Sequence, residues 1–423
     1  MTAMAGASVL AQERDRSGRA ASAHPLALWS GFAAVHAVLI SLCILAPGWP
    51  LGDVERVYLG WAEAAASGTA VVGITTGFVY PIVALVPILA AFAFGAAGYA
   101  LAWLGMVTLL NAGAFAVLIG GNHSPARKAR RISAAWWWLG FLVLLGPIAL
   151  ARIDSVTVPI VIVGLLLIGT HPVWGTVLLT LATWIKVWPA AAIAALIVAS
   201  RHRWRLAGVA AGVSALIVVV TLILGGGTHV FSFVSQQTAR GIQIESPVAS
   251  LWMWQAVVGV PGSMIYYDRE LLTYQVTGDG VEAASALMTP LLLLVLAAVL
   301  LLGWRAQRKG AAFIELFPVL VLALVLTMIA FNKVGSPQFL SWLAAPVILA
   351  IVVGAHAWRV PLILVTALAA LTHLVYPYLY DFLLVAHPAL VFALTLRNAL
   401  ELVVLGWTVQ RLWALPQRLN RER

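Results

Sequence analysis

Gly52-Asp53-Val54-Glu55-Arg56-Val57-Tyr58-Leu59-Gly60-Trp61 sets two carboxylates and a guanidinium directly after the first long apolar run, in a chain where only 9% of residues are charged. Read as a helix from Val54, this stretch puts positions 54, 57, 58 and 61 on one apolar face, at spacings i, i+3, i+4, i+7. Asp53, Arg56, Gly60 and Glu63 fall on the other face. The pattern predicts a helix lying in a membrane interface, apolar face down. Asp53 then sits at its N-terminal end, where the helix dipole favours an ionised acid. An ionised carboxylate facing water at membrane level can act as a general base. Asp is equally a favoured N-cap, and capping alone is the plainer role for it.

Everything around this stretch reads as membrane. The 423 residues are 62% hydrophobic, with a mean hydropathy of +0.99. Apolar runs of about 17–25 residues recur, the mark of an all-α polytopic membrane protein. A single transmembrane domain is expected over 25–412, with outer loops at 48–96 and 225–283. Residues 1–24 predict a disordered cytosolic tail, and 413–423 a basic cytosolic one. The first apolar run lacks a clear cleavage site and reads as a retained anchor. Cys43 is the only cysteine, so no intramolecular disulfide can form. The net charge of +10 lies in short loops and tails. That is the positive-inside pattern of a plasma-membrane protein with both termini cytosolic, and it implies no nucleic-acid partner.

Charge bookkeeping sets about twelve spans. The first is 25–47, so Asp53 emerges on the outer face. The short run 79–94 carries Pro81 and Pro87, and a crossing there would put Arg127-Lys128-Ala129-Arg130-Arg131 outside. A re-entrant or surface helix is therefore predicted for 79–94, followed by spans at 97–120 and 134–150. Arg201 to Arg205 must return inside, which divides 157–200 into three short helices, 157–170, 173–186 and 188–200. Helices that short suggest locally broken helices around a cavity. Further spans follow at 206–224, 284–304, 311–331, 338–356, 361–380 and 388–410. Most of the acids gather on the outer face, with six basic residues that break the inside rule: Arg56, Arg152, Lys186, Arg240, Arg269 and Lys333.

No P-loop, GxSxG, HExxH or CxxC occurs, and the nine histidines show no metal-ligand spacing. The outer face does offer a base, Asp53, and a second acid, Glu55 or Asp154. It also offers cations able to hold a phosphate: Arg56, Lys186, Arg240 and Lys333. A membrane phosphate beside a carboxylate suggests group transfer from a lipid phosphate. The phosphate already leaves well, whereas an attacking sugar hydroxyl must lose a proton to a base. Each residue also has a plainer role: solvated helix charges for Glu55 and Glu63, snorkelling for Lys186, loop charges for Arg240 and Lys333. Trp252 and Trp254 read as interfacial anchors, His373 and Tyr376 to Tyr380 as an aromatic belt. Arg397 and Glu401 read as an i, i+4 couple inside the bundle.

Several segments taken together resemble glycosyltransferase family 87, of the GT-C superfamily. They are Gly52-Asp53-Val54 through Trp61-Ala62; Tyr80-Pro81; Thr183-Trp184-Ile185-Lys186-Val187-Trp188-Pro189; Arg240-Gly241-Ile242-Gln243-Ile244-Glu245-Ser246-Pro247; and Lys333-Val334-Gly335-Ser336-Pro337-Gln338-Phe339. The family's Tyr-Pro-Pro is Tyr80-Pro81-Ile82 here. The resemblance implies a GT-C-type bundle and an actinobacterial polyprenol-phosphate-mannose-dependent mannosyltransferase. Transfer would be inverting, with Asp53 as base and no obligatory metal or cofactor, the polyprenyl-phosphate sugar being a co-substrate. Gln338 would join the four cations around the donor, and Asp154, Gln243, Glu245, Tyr80 and Glu55 would be secondary site residues. The acceptor would be a phosphatidylinositol mannoside, a lipoglycan or another envelope glycan, with membrane lipids as surroundings, and a monomer could suffice. The alternative is a transporter or flippase of a lipid-linked or anionic solute. That reading expects repeat symmetry and mid-span ionisable groups. A non-catalytic assembly subunit is a third reading, and it would not require Asp53, Lys186, Arg240 and Lys333 to converge.

Overall fold

A computed structural model describes residues 25–238 and 240–419, and the expected N-terminal tail lies outside the described residues. The described residues are helical almost throughout. Helix α1 (Pro25–Leu45) leads through a tight turn into a π-helical segment, Asp53–Tyr58, continued by α2 (Leu59–Ala66). The run from residue 79 resolves into short helical pieces, Ile82–Ala84, α3 (Leu85–Ala91) and Phe92–Phe94, which pass at Gly95 into α4 (Gly95–Ile119).

Helix α5 (Pro125–Leu145) begins earlier than the span expected at 134–150. Pro125 opens it at the first helical turn, where a missing N–H costs nothing. The basic residues are therefore helical, and Arg131 turns back to donate to the carbonyls of Val117 and Leu118 at the end of α4. Helices α6 (Asp154–Leu167), α7 (Pro172–Thr183) and α8 (Ala190–Ala199) are short, and α9 (Arg203–Ile223) is long. Then come α10 (Ser232–Thr238), α11 (Ser250–Val257) and an antiparallel hairpin of β1 (Met264–Asp268) with β2 (Thr273–Thr277). Helices α12 (Val281–Arg308), α13 (Phe313–Ala330), α14 (Ala344–Val353), α15 (Arg359–Val375), α16 (Tyr380–Leu384) and α17 (Pro388–Leu419) complete the chain. The last helix runs into the region read as a basic tail.

Among the described residues, seven stretches are long and apolar enough to cross a membrane, the longest being the 38-residue run Ile82–Ile119. Five more apolar helical stretches have 10–17 residues. At 1.5 Å per residue, α6, α7 and α8 extend only about 15–21 Å, short of a ~30 Å hydrocarbon core. Apolarity follows position. Helix α13 is hydrophobic all round and largely buried, packed among α17, α12, α8 and α14. Helices α9 and α12 expose leucines, valines and isoleucines such as Leu216, Val219, Leu293 and Leu301, as expected of sides that meet lipid. The protein is a multi-pass, all-α membrane protein.

Candidate active site

Polar side chains concentrate where the C-terminal ends of α1, α5, α7, α13 and α15 meet. The π-helical segment is the first contributor. Val54 and Tyr58 are fully buried and Arg56, Gly60 and Glu63 exposed, as the amphipathic reading expects, while Val57 and Trp61 are only half-buried, as is Asp53. Its apolar face, however, lies on protein: Tyr58 packs on Trp103 of α4, ring centroids 5.2 Å apart, and on Trp61. Asp53 makes no side-chain cap bond; Gly52 holds the cap position instead. The Asp53 carboxylate Oδ2 lies 3.1 Å from Nε of Arg152, and 40% of the Asp53 side chain stays open.

Arg152 is buried in the connection between α5 and α6. Its Nη1 donates to the carbonyls of Pro50, at 2.5 Å, and Ala151, at 2.8 Å. Its Nη2 donates to the Tyr376 hydroxyl at 2.9 Å. Burial opposes the charge, but Asp53 and Tyr376 more than restore it, and the guanidinium's pKa is raised. Next along the chain, the Ile153 N–H donates to the Tyr58 hydroxyl at 3.2 Å, fixing the π-helical segment to the start of α6.

Asp154 is almost wholly buried. Its Oδ1 accepts from Trp342 Nε1 at 2.6 Å, and its Oδ2 lies 3.5 Å from the Lys186 ammonium. Lys186 follows α7 and faces the Tyr80 ring at 4.5 Å and the Phe339 ring at 5.7 Å. An aromatic stack, Phe339 on Trp342 and Trp342 on Trp188, backs this cage. Backbone ties align the pieces: the Val83 N–H donates to the Trp184 carbonyl, at 3.0 Å. The Tyr58 and Tyr80 hydroxyls are 3.4 Å apart.

The segments around Arg240 and Lys333 close the other flank. The Gln243 N–H donates to the Lys333 carbonyl at 3.0 Å. Lys333 Nζ donates to Ser285 Oγ, which in turn donates to the Arg240 carbonyl. Burial pushes the Arg240 guanidinium's pKa down, opposed by Tyr80, Asp53 and Asp268, and burial also lowers that of Lys333. Gln243, Lys333 and Gln338 are all buried, and the Gln338 carbonyl accepts from Ser341 Oγ. Glu245 is committed elsewhere. It pairs with Arg397 at 2.8 Å, Arg397 also donates to its carbonyl, and Glu401 lies 3.5 Å from the same guanidinium. Burial raises the Glu245 pKa against the pull of Arg397.

Asp53, Tyr80, Asp154, Lys186 and Arg240 thus gather around one region, with Gln243, Lys333 and Gln338 on segments packed against it. Arg56 instead stacks over Trp49, 4.1 Å from the ring, and Glu55 accepts from Trp49 Nε1. Trp252 and Trp254, read as interfacial anchors, serve the fold: Trp252 is buried on the Asp279 carbonyl, and Trp254 donates to Thr395 Oγ1. Arg152, Tyr376 and Trp342 had no site role in the sequence reading. The one signal for Arg152 was its place among the cations that break the inside rule.

The model of glycosyltransferase family 87 matches residues 78–330, more than half of the chain. The chain belongs to glycosyltransferase family 87. Comparisons with curated proteins and with solved structures return no match. Family 87 membership makes the protein a membrane glycosyltransferase. The region matched to family 87 includes Tyr80, Arg152, Asp154, Lys186, Arg240, Gln243 and Glu245. Asp53, Lys333 and Gln338 lie outside it and join the site through the contacts above.

Proposed function

We propose that this glycosyltransferase moves mannose from a polyprenyl-phosphate donor to a hydroxyl of a lipid-linked or glycan acceptor, with inversion. Asp53 is the general base. The observation that carries the reading is the half-open Asp53 carboxylate, ion-paired on one oxygen to Arg152, together with the Lys186 ammonium caged between Asp154 and the Tyr80 ring. The acceptor hydroxyl gives its proton to Asp53 as its oxygen bonds to the anomeric carbon. The anomeric C–O bond breaks, and the electron pair leaves with the polyprenyl phosphate. Attack opposite the leaving group gives an α-linked product from a β-linked donor. Lys186 and Arg240 face the phosphate, where charge grows as it departs. The envelope acceptor, such as a phosphatidylinositol mannoside, is met on the outer face of the plasma membrane, and no cofactor takes part.

The test is transfer of radiolabelled mannose from polyprenyl-phosphate-mannose into envelope lipids by purified wild type and Asp53→Asn. Removing a general base is expected to lower the rate about 10²–10⁴-fold while folding is kept. Equal rates would remove Asp53 from the role.

A further inference from the structure

We propose that Arg152 is a positioning residue for the Asp53 carboxylate: it anchors Oδ2 so that Oδ1 is left for the acceptor hydroxyl. This inference rests on the reading of Asp53 as the base. The two partners differ sharply in exposure, with Arg152 buried and 40% of the Asp53 side chain open. The guanidinium is fixed on three sides before it reaches the carboxylate. Pro50 belongs to the turn ahead of the π-helical segment, Ala151 to the connection before α6, and Tyr376 to the turn after α15. Nε, which takes part in none of these bonds, lies 3.1 Å from Asp53 Oδ2.

A cation so committed differs from Lys186, whose three donors sit over ring faces and one carboxylate oxygen. Arg152 has nearly spent its N–H groups on the protein, so it acts through Asp53 rather than on a phosphate. A short carboxylate side chain can rotate, and one fixed oxygen sets the direction of the other. The proton then passes from the acceptor oxygen to Oδ1 while Oδ2 keeps its ion pair. A base misplaced by about 1 Å can cost on the order of 10²-fold in rate. The loss belongs to kcat, because Arg152 touches neither sugar nor phosphate.

The experiment uses full-length purified protein with polyprenyl-phosphate-mannose and extracted envelope lipids. It compares wild type, Arg152→Gln, Arg152→Lys, Tyr376→Phe, Asp53→Asn and the double variant Asp53→Asn/Arg152→Gln. Arg152→Gln is expected to lower kcat about 10–100-fold with donor KM within about 2-fold. Arg152→Lys recovers part of the rate. Tyr376→Phe, which keeps the guanidinium but removes one tether, lowers kcat about 3-fold, the scale of a single hydrogen bond. The double variant is no slower than Asp53→Asn, because a residue acting through the base has nothing left to position.

A donor KM that rises while kcat holds, or a full further loss in the Asp53→Asn background, overturns the proposal. Should Arg152→Gln fail to fold, Tyr376→Phe alone and combined with Asp53→Asn gives the same comparison. An Asp53→Asn variant as fast as wild type overturns the base reading and this inference with it. An inactive wild type overturns the donor and acceptor reading on which both stand.

Discussion

The role proposed for Lys186 comes from its surroundings. An exposed lysine near a membrane surface would snorkel with little consequence. Here the ammonium is held between the Tyr80 face and the Asp154 carboxylate, and Asp154 is itself locked by Trp342. Asp154 Oδ2 has no hydrogen-bond partner, so its compensation rests on Lys186. A phosphate arriving at Lys186 meets a cation whose entropy has already been lost to the protein. Lys186→Ala is expected to raise donor KM about 10-fold or more, the scale of a charge-assisted bond, with Lys186→Arg intermediate. Steady-state kinetics at varied donor concentration check this; an unchanged donor KM would remove Lys186 from the phosphate. Lys186 and Asp53 were legible because rare charges in an apolar chain draw attention. Arg152 carries the same mark, but its partner Tyr376 does not. Their bond joins residues 224 positions apart, and a tyrosine among others in a loop carries no mark of a distant guanidinium.

At the scale of elements, the site depends on irregular segments pressed together more closely than side chains allow. The segment after α13 and the segment before α11 meet backbone to backbone. A Cβ on Gly335 would lie 2.1 Å from the Ser246 nitrogen and 2.3 Å from the Glu245 carbonyl carbon. Neither is a flexible side-chain end, so Gly335→Ala must push the two segments apart. The expected cost is about 1–3 kcal/mol, as for overpacking in a tight core, with lost transfer because Lys333 and Gln243 move with their segments. Gly105→Ala in α4 is the control: nothing lies within 4 Å of its Cβ, and helix propensity predicts a gain of up to ~1 kcal/mol. Thermal unfolding of the solubilised variants tests both signs, and equal midpoints would refute the close-approach argument. The same packing explains what the sequence could not supply. Arg397 and Glu401 were paired by helical spacing, yet the shorter contact is with Glu245, 152 positions away. Helical periodicity finds neighbours within one helix and is silent about a loop folded onto it.

For the whole molecule, apolar run length and the break points near Pro172 and Pro189 carried the order of the helices, because a bilayer imposes hydrophobicity on any span. Which ends of those helices meet depends on packing among nearly identical apolar faces, and that is not written in hydropathy. The assembled chain is polar in two different ways at its two ends. One end gathers Asp53, Asp154, Glu245 and their few cations. The opposite end carries Arg131 on the carbonyls of α4, Arg411 with Glu315, and Arg305 against Trp413. Positive-inside sorting predicts that the second end faces the cytosol and the proposed transfer site the outside. Helix α12 offers the test, since its 28 residues extend about 42 Å, enough to carry its two ends to opposite surfaces. Asp279 and Lys309 flank it and are both exposed. Because Cys43 is the only cysteine, a Cys43→Ala background leaves the chain free of thiols. A membrane-impermeant maleimide on intact cells is expected to label Asp279→Cys at once and Lys309→Cys only after permeabilisation. Labelling with the opposite sidedness would invert the topology. It would bring Asp53 to the cytosolic face, where an acceptor in the outer envelope could not reach it, and the proposed acceptor class would fall.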